Sequence, residues 1–158
     1  MMDTGNYSNN ITLKMDSKSQ NESLARTVVS AFISPLNPDM GTLSDIKTAV
    51  SEAVTNAIIH GYEEKDGSIT LTMSLEGSKL CIAVSDKGVG IEDIIKAMEP
   101  LYTSTRPDME RAGMGFTVME SFMDEVKVVS APGSGTTVEM TKDLKCEHSC
   151  LALGGKND

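Results

Sequence analysis

Glu52 and Asn56 stand four residues apart in Ser51-Glu52-Ala53-Val54-Thr55-Asn56-Ala57, a carboxylate and a carboxamide separated by one helical turn. Side chains at i and i+4 lie above one another on a helix, so both can face one small volume. A carboxylate placed there can take a proton from a hydroxyl, and a carboxamide oxygen can hold a hard cation. Most polar pairs at this spacing are solvated surface. This pair gains meaning from three glycine-marked segments further along the chain.

The first is Ser85-Asp86-Lys87-Gly88-Val89-Gly90, which follows an apolar strand pattern and puts Asp86 at the strand end. Gly88 and Gly90 allow the backbone to come close to a bound group or to adopt positive φ. The second is Gly113-Met114-Gly115, expected to open a helix whose exposed N–H groups suit phosphate oxygens. Arg111, two residues earlier, can add a charge-assisted bond. The third is Gly133-Ser134-Gly135, after which Thr137 offers a hydroxyl from the last strand. No Gly-x-x-x-x-Gly-Lys-Ser/Thr loop is present, nor the His-Arg-Asp and Asp-Phe-Gly strings of eukaryotic-type kinases.

The elements that must position these residues read as follows. Alternation over Asn10–Met15 predicts a strand. Ser19-Gln20-Asn21-Glu22 has the form of a capping box, opening a helix with Leu24, Ala25, Val28, Val29 and Phe32 inward. Pro35 and Pro38 end it. The longest helix runs from about Met40 to His60 on an apolar stripe of Leu43, Ile46, Val50, Ala53, Val54, Ala57 and Ile58, with Gly61 as its C-terminal cap. A hairpin follows, with Ile69, Leu71, Met73 and Leu75 in one strand, a Gly77-Ser78 turn, and Leu80–Val84 in the other. A short helix is expected over 91–98, then an aperiodic loop over Pro100–Ala112, a helix over Gly115–Met123, and strands over Val126–Ser130 and Thr136–Met140. The order implies an α+β fold, a two-layer sandwich of a mixed, mostly antiparallel sheet with helices on one face. Residues 1–9 read as a flexible N-terminus, 10–144 as one domain and 145–158 as a disordered tail.

Composition narrows the functional classes. The formal net charge of −9 on 158 residues disfavours direct nucleic-acid binding. No apolar run reaches the length of a membrane span, and the N-terminus lacks a secretion-signal pattern, so a cytoplasmic setting is expected. Three cysteines make no disulfide framework. Cys81 reads as a small core residue, and Cys146-Glu147-His148-Ser149-Cys150 reads as a solvated tail rather than a zinc site.

Taken in order, Glu52-x-x-x-Asn56, Asp86-x-Gly88-x-Gly90, Gly113-x-Gly115 and Thr137 resemble the nucleotide boxes of the GHKL (Bergerat-fold) ATPases. Within that superfamily, Ser51 through Glu64 and Arg111 through Glu120 are similar to the anti-sigma F family of sporulation serine kinases. The resemblance covers about Ile11–Leu144. It implies that ATP or ADP is bound with Mg²⁺, that a sporulation sigma F factor is held away from RNA polymerase, and that an anti-anti-sigma protein is phosphorylated on serine. Glu52 would be the general base and Asn56 the Mg²⁺ ligand. Asp86 would accept from the adenine amino group, with Gly88 and Gly90 allowing close approach. Thr103, Ser104 and Thr105 would belong to a phosphate lid, with Arg111, Gly113, Met114 and Gly115 at its far hinge. Arg26, on the polar side of the first helix, would be part of a docking surface for both protein partners, although an exposed ion pair with Glu22 is its plainer reading. A homodimer is implied as well. Two other classes are weighed against the kinase. One is an ATP-gated binding module without phosphoryl transfer. The other is a histidine kinase catalytic domain, which needs a phospho-accepting histidine where this chain has only His60 and His148.

Overall fold

The computed structural model of the chain describes residues 7–62, 66–93, 98 and 107–144, with residues 60 and 107–114 described by backbone alone. In chain order these form β1 (Ser8–Asp16), α1 (Gln20–Ile33), a 3₁₀ turn (Ser34–Leu36), α2 (Met40–Asn56), a π turn (Ala57–Gly61), β2 (Ser68–Glu76), β3 (Lys79–Asp86), α3 (Pro107–Phe122), β4 (Glu125–Ala131) and β5 (Gly135–Asp143). The α+β class is as expected. The five strands make one sheet in the order β1-β2-β3-β5-β4; the mostly antiparallel sheet expected is antiparallel at every pairing, with no parallel pair among the described strands. β5 inserts between β3 and β4, so the long connection through α3 creates no parallel pair.

Alternation sorts the sheet into two faces. Ile69, Leu71, Met73 and Leu75 of β2, Leu80, Ile82 and Val84 of β3, and Val138 and Met140 of β5 are buried beneath the helices. The helical layer answers with Ala25, Val29, Phe32 and Ile33 from α1, Ile46, Ala49, Val50, Ala53 and Val54 from α2, and Phe116 and Met119 from α3. Each fully buried Ile or Val contributes about 1.5–3 kcal/mol relative to exposure. α2 packs against both α1 and α3, which makes it the natural carrier of a site. Its start is fixed by Asp39, whose carboxylate accepts from Thr42 N–H at 2.7 Å and from the Thr42 hydroxyl at 3.1 Å.

Several expectations are corrected. Leu24 is 44% exposed, not inward. Cys81 is half-buried on the sheet face away from Leu80 and Ile82, because strand parity turns it from the core; burial still pushes its thiol up. The capping box does not form: the Ser19 side chain makes no cap bond, and the Glu22 carboxylate turns instead to Ser51 and Arg26. Gly61 does not adopt the left-handed cap conformation, since α2 runs on into the π turn. α3 begins at Pro107, eight residues before the expected Gly115, consistent with the preference of proline for a helix's first position. The helix expected over 91–98 falls mostly outside the described residues, and 91–93 are not helical. The tail over 145–158, with Cys146, His148 and Cys150, lies outside them too.

Candidate functional site

Glu52 and Asn56 converge as their spacing requires, and what they face is Gly115 of α3. A Cβ built on Gly115 would lie 3.1 Å from Glu52 Oε2, 3.2 Å from Asn56 Nδ2 and 3.3 Å from Asn56 Oδ1. Glycine in a helix interior costs about 1 kcal/mol relative to alanine. Here it allows α3 to approach two polar side chains that a methyl would crowd. Asn56 Nδ2 is buried with no hydrogen-bond partner among the described residues. Leaving such a group unpaired costs about 1–3 kcal/mol, so a carboxamide held this way is poised for a ligand that is not protein.

The second part of the site gathers at the end of β3. Asp86 is 8% exposed and its carboxylate accepts from Gly88 N–H at 2.9 Å. Burial holds its pKa above the usual carboxylate value, while backbone N–H bonds from Gly88 and Thr136 pull the other way. Gly61 lies directly against it: a Cβ there would meet the Asp86 carboxyl group at 2.8–2.9 Å. The expected cap glycine is therefore a close-approach glycine. A Cβ on Gly88 would run into the Gly61 carbonyl oxygen, and one on Gly90, at φ +76°, into the Ala131 carbonyl oxygen. Val89 N–H donates to Gly61 O at 2.8 Å, and Gly133 N–H to Val89 O at 2.8 Å. The loop from Asp86 to Gly90 is thus clamped between the π turn and the β4–β5 turn.

Tyr62 and Thr136 were missed in the sequence. Tyr62 Oη accepts from Lys87 N–H at 2.8 Å and donates to Ser68 O at 2.5 Å, tying the end of the π turn to the loop that follows Asp86. Thr136, only 9% exposed, stands opposite Asp86 in the β3–β5 register. Thr137, the expected residue, pairs with Ser85 on the other sheet face, their hydroxyls 2.8 Å apart. A step of one residue along a strand exchanges faces. No sequence signal separates two adjacent threonines; only the pairing register does.

The remaining expected residues are distributed as follows. Arg111, Gly113 and Met114 lie within α3, and their surroundings are outside the described part. The glycine pair therefore sits inside a helix instead of opening one. Thr103, Ser104 and Thr105 fall outside the described residues. Arg26 is on α1, in a groove of about 570 Å³ between α1 and α2 that Met40, Leu43, Lys47 and Ser51 also line and that neither Glu52 nor Asn56 lines. It pairs with Glu22 at 3.6 Å. Among the described residues there is no cluster of His, Cys, Asp and Glu able to hold a metal ion, and no helix long and apolar enough to cross a membrane.

Comparison with known proteins shows the family and the fold. The family described as Histidine kinase-like ATPase domain matches residues 16–142. Proteins named anti-sigma F factor are similar over most of the chain. The one from Thermoanaerobacter sp. (strain X514) is 62% identical over 136 residues, 86% of this chain and 94% of its own. The one from Clostridium acetobutylicum is 59% identical over 134 residues, 85% of this chain and 93% of its own. Among solved structures, the RsbU and RsbW domains of a Mycobacterium tuberculosis protein align with a TM-score of 0.62 at 19% identity, covering 86% of this chain and 32% of that one. The catalytic domain of the histidine kinase ThkA aligns with a TM-score of 0.53 at 15% identity, covering 85% of this chain and 96% of that one. At those identities the likeness is one of fold.

Proposed function

The chain belongs to the histidine kinase-like ATPase domains and, among them, to the anti-sigma F factors; from that premise we propose that it is an ATP-dependent protein serine kinase that also sequesters a sporulation sigma F factor. Its substrate is the serine hydroxyl of an anti-anti-sigma protein. Work in the cytoplasm as a homodimer completes the reading.

The observation that carries the proposal is the convergence of Glu52 and Asn56 on Gly115 across the α2–α3 packing. Glu52 takes the proton from the substrate hydroxyl, the serine Oγ bonds to the γ-phosphorus, and ADP leaves with the electrons of the broken P–O bond. Positioning and charge stabilisation supply most of the rate in phosphoryl transfer. Asn56, whose buried Nδ2 has no partner among the described residues, is free to serve a ligand, and its carboxamide oxygen would hold Mg²⁺. A bound Mg²⁺ supplies neutralisation of phosphate charge. Asp86, held at the strand end by Gly88 and backed by Gly61 and Thr136, receives the adenine amino group. Arg111 and the Thr103–Thr105 segment serve the phosphates. Arg26 in the α1–α2 groove docks both protein partners.

The test is transfer of label from γ-labelled ATP to the serine of the cognate anti-anti-sigma protein, alongside capture of sigma F factor in ATP and in ADP. Nucleotide-dependent capture without label transfer supports the alternative, an ATP-gated binding module. Neither activity overturns both.

A further inference from the structure

Ser51 and Glu22 link two regions that the function otherwise treats separately. Ser51 Oγ donates to Glu22 Oε1, and the same oxygen faces Arg26 Nη1 at 3.6 Å. Four other helical hydroxyls turn back on their own helix: Thr27, Ser30, Thr48 and Ser121 donate to the carbonyl four residues earlier at 2.9–3.1 Å. Ser51 instead reaches across to α1. It lines the same groove as Arg26 and Lys47, and it is the residue immediately before Glu52.

We propose that Glu22 is a positioning residue that transmits the state of Arg26 to the turn of α2 carrying Glu52, so that partner docking on α1 and nucleotide binding on α2 depend on each other. This rests on the kinase and docking reading above. One carboxylate oxygen is shared between a cation and a hydroxyl. When an acidic group of a docked protein takes Arg26, the charge on Oε1 is left to Ser51 alone, and a hydrogen bond to an ionised acceptor is about twice as strong as a neutral one. The hold on Ser51 tightens, and with it the turn that presents Glu52 and, four residues on, Asn56. Such coupling is reciprocal: nucleotide that fixes this turn changes the affinity of the docking face by the same factor.

The experiment measures the affinity of the full chain for an anti-anti-sigma protein whose acceptor serine is replaced by alanine, with and without saturating Mg·ATP. Wild type is compared with Ser51→Ala, Glu22→Gln and Ser51→Thr. Coupled sites typically differ by about 5–150-fold between the two states. The ratio is expected to fall by at least about threefold in Ser51→Ala and Glu22→Gln and to be retained in Ser51→Thr, which keeps the donor hydroxyl. The dissociation constant of these variants for Mg·ATP, measured without the partner, should move less than about twofold, so that the lost factor falls on the partner-bound state alone. A purely architectural link would shift both affinities alike and leave the ratio at its wild-type value, which would overturn the inference alone. Absence of partner binding by the wild type in either state would instead bring down the docking reading, and this inference with it.

Discussion

Gly115 approaches Glu52 so closely that a Cβ added to the glycine would stand 3.1 Å from Oε2. The contact is tight, yet its far side is the end of a flexible side chain. Gly115→Ala should therefore fold, and alanine in a helix interior is worth about 1 kcal/mol over glycine. The expected result is a melting temperature equal to or above that of the wild type, with phosphoryl transfer reduced at least about tenfold because Glu52 and Asn56 are displaced. A variant that melts higher and transfers phosphate at the wild-type rate would show that the α2–α3 approach has no part in the reaction.

Glu52→Gln removes the base while keeping shape. Transfer to the serine substrate should fall by about 10²–10⁴-fold. Affinity for ATP, read by calorimetry, should stay near the wild-type value. Undiminished transfer would take Glu52 out of the mechanism.

Asp86 carries a pH signature. Burial raises its folded pKa above the ordinary 3.8, against the opposing Gly88 and Thr136 N–H bonds. Between the unfolded and folded values the native state binds the extra proton, so stability falls as pH rises through that window and then levels off. Asp86→Asn cannot ionise and escapes this loss. The difference in melting temperature, variant minus wild type, should therefore increase from about pH 3 to pH 7, while adenine nucleotide binding is lost. A difference independent of pH would contradict the buried, raised carboxylate.

Much of this was legible from pattern. The spacing of Glu52 and Asn56 is a helical property, and the alternation in Ile69–Leu75 and Leu80–Val84 is a strand property, so both survive without tertiary information. The rest depends on what meets what. Thr136 and Thr137 differ only in which faces Asp86, and that is decided by the β3–β5 register. Gly61 looked like a cap, but its need for glycine comes from an aspartate 25 residues later in the chain. Glu22 fits a capping box locally and is drawn off by Ser51 from another helix. Local rules lose where a stronger distant partner competes for the same atom.

Tyr62→Phe tests the clamp on the Asp86 loop. The variant loses one bond to Lys87 N–H and one to Ser68 O, at 2.8 and 2.5 Å. The expected cost is about 1–2 kcal/mol in stability, from two net hydrogen bonds. The functional readout should be asymmetric: KM for ATP rises several-fold while kcat stays within about twofold, since the loop holds the base and not the reacting phosphorus. An equal fall in kcat would mean that Tyr62 supports the reacting end of the site instead.

Asn56→Ala separates fold from function most sharply. Asparagine is a poorer helix former than alanine by roughly 0.5 kcal/mol, and Asn56 Nδ2 is buried without a partner among the described residues. Both features burden the unliganded protein, so the alanine variant should be as stable as the wild type or more so in chemical denaturation. With ATP and Mg²⁺ present the order should reverse. Wild type gains stability by ligand linkage, about 2.7 kcal/mol at one hundred times its dissociation constant, and the variant gains much less. A site residue that weakens the empty protein and strengthens the loaded one is what selection for binding, rather than for folding, produces. If Asn56→Ala instead destabilised the unliganded chain and bound Mg·ATP normally, the carboxamide would be structural and the cation would have to be held elsewhere.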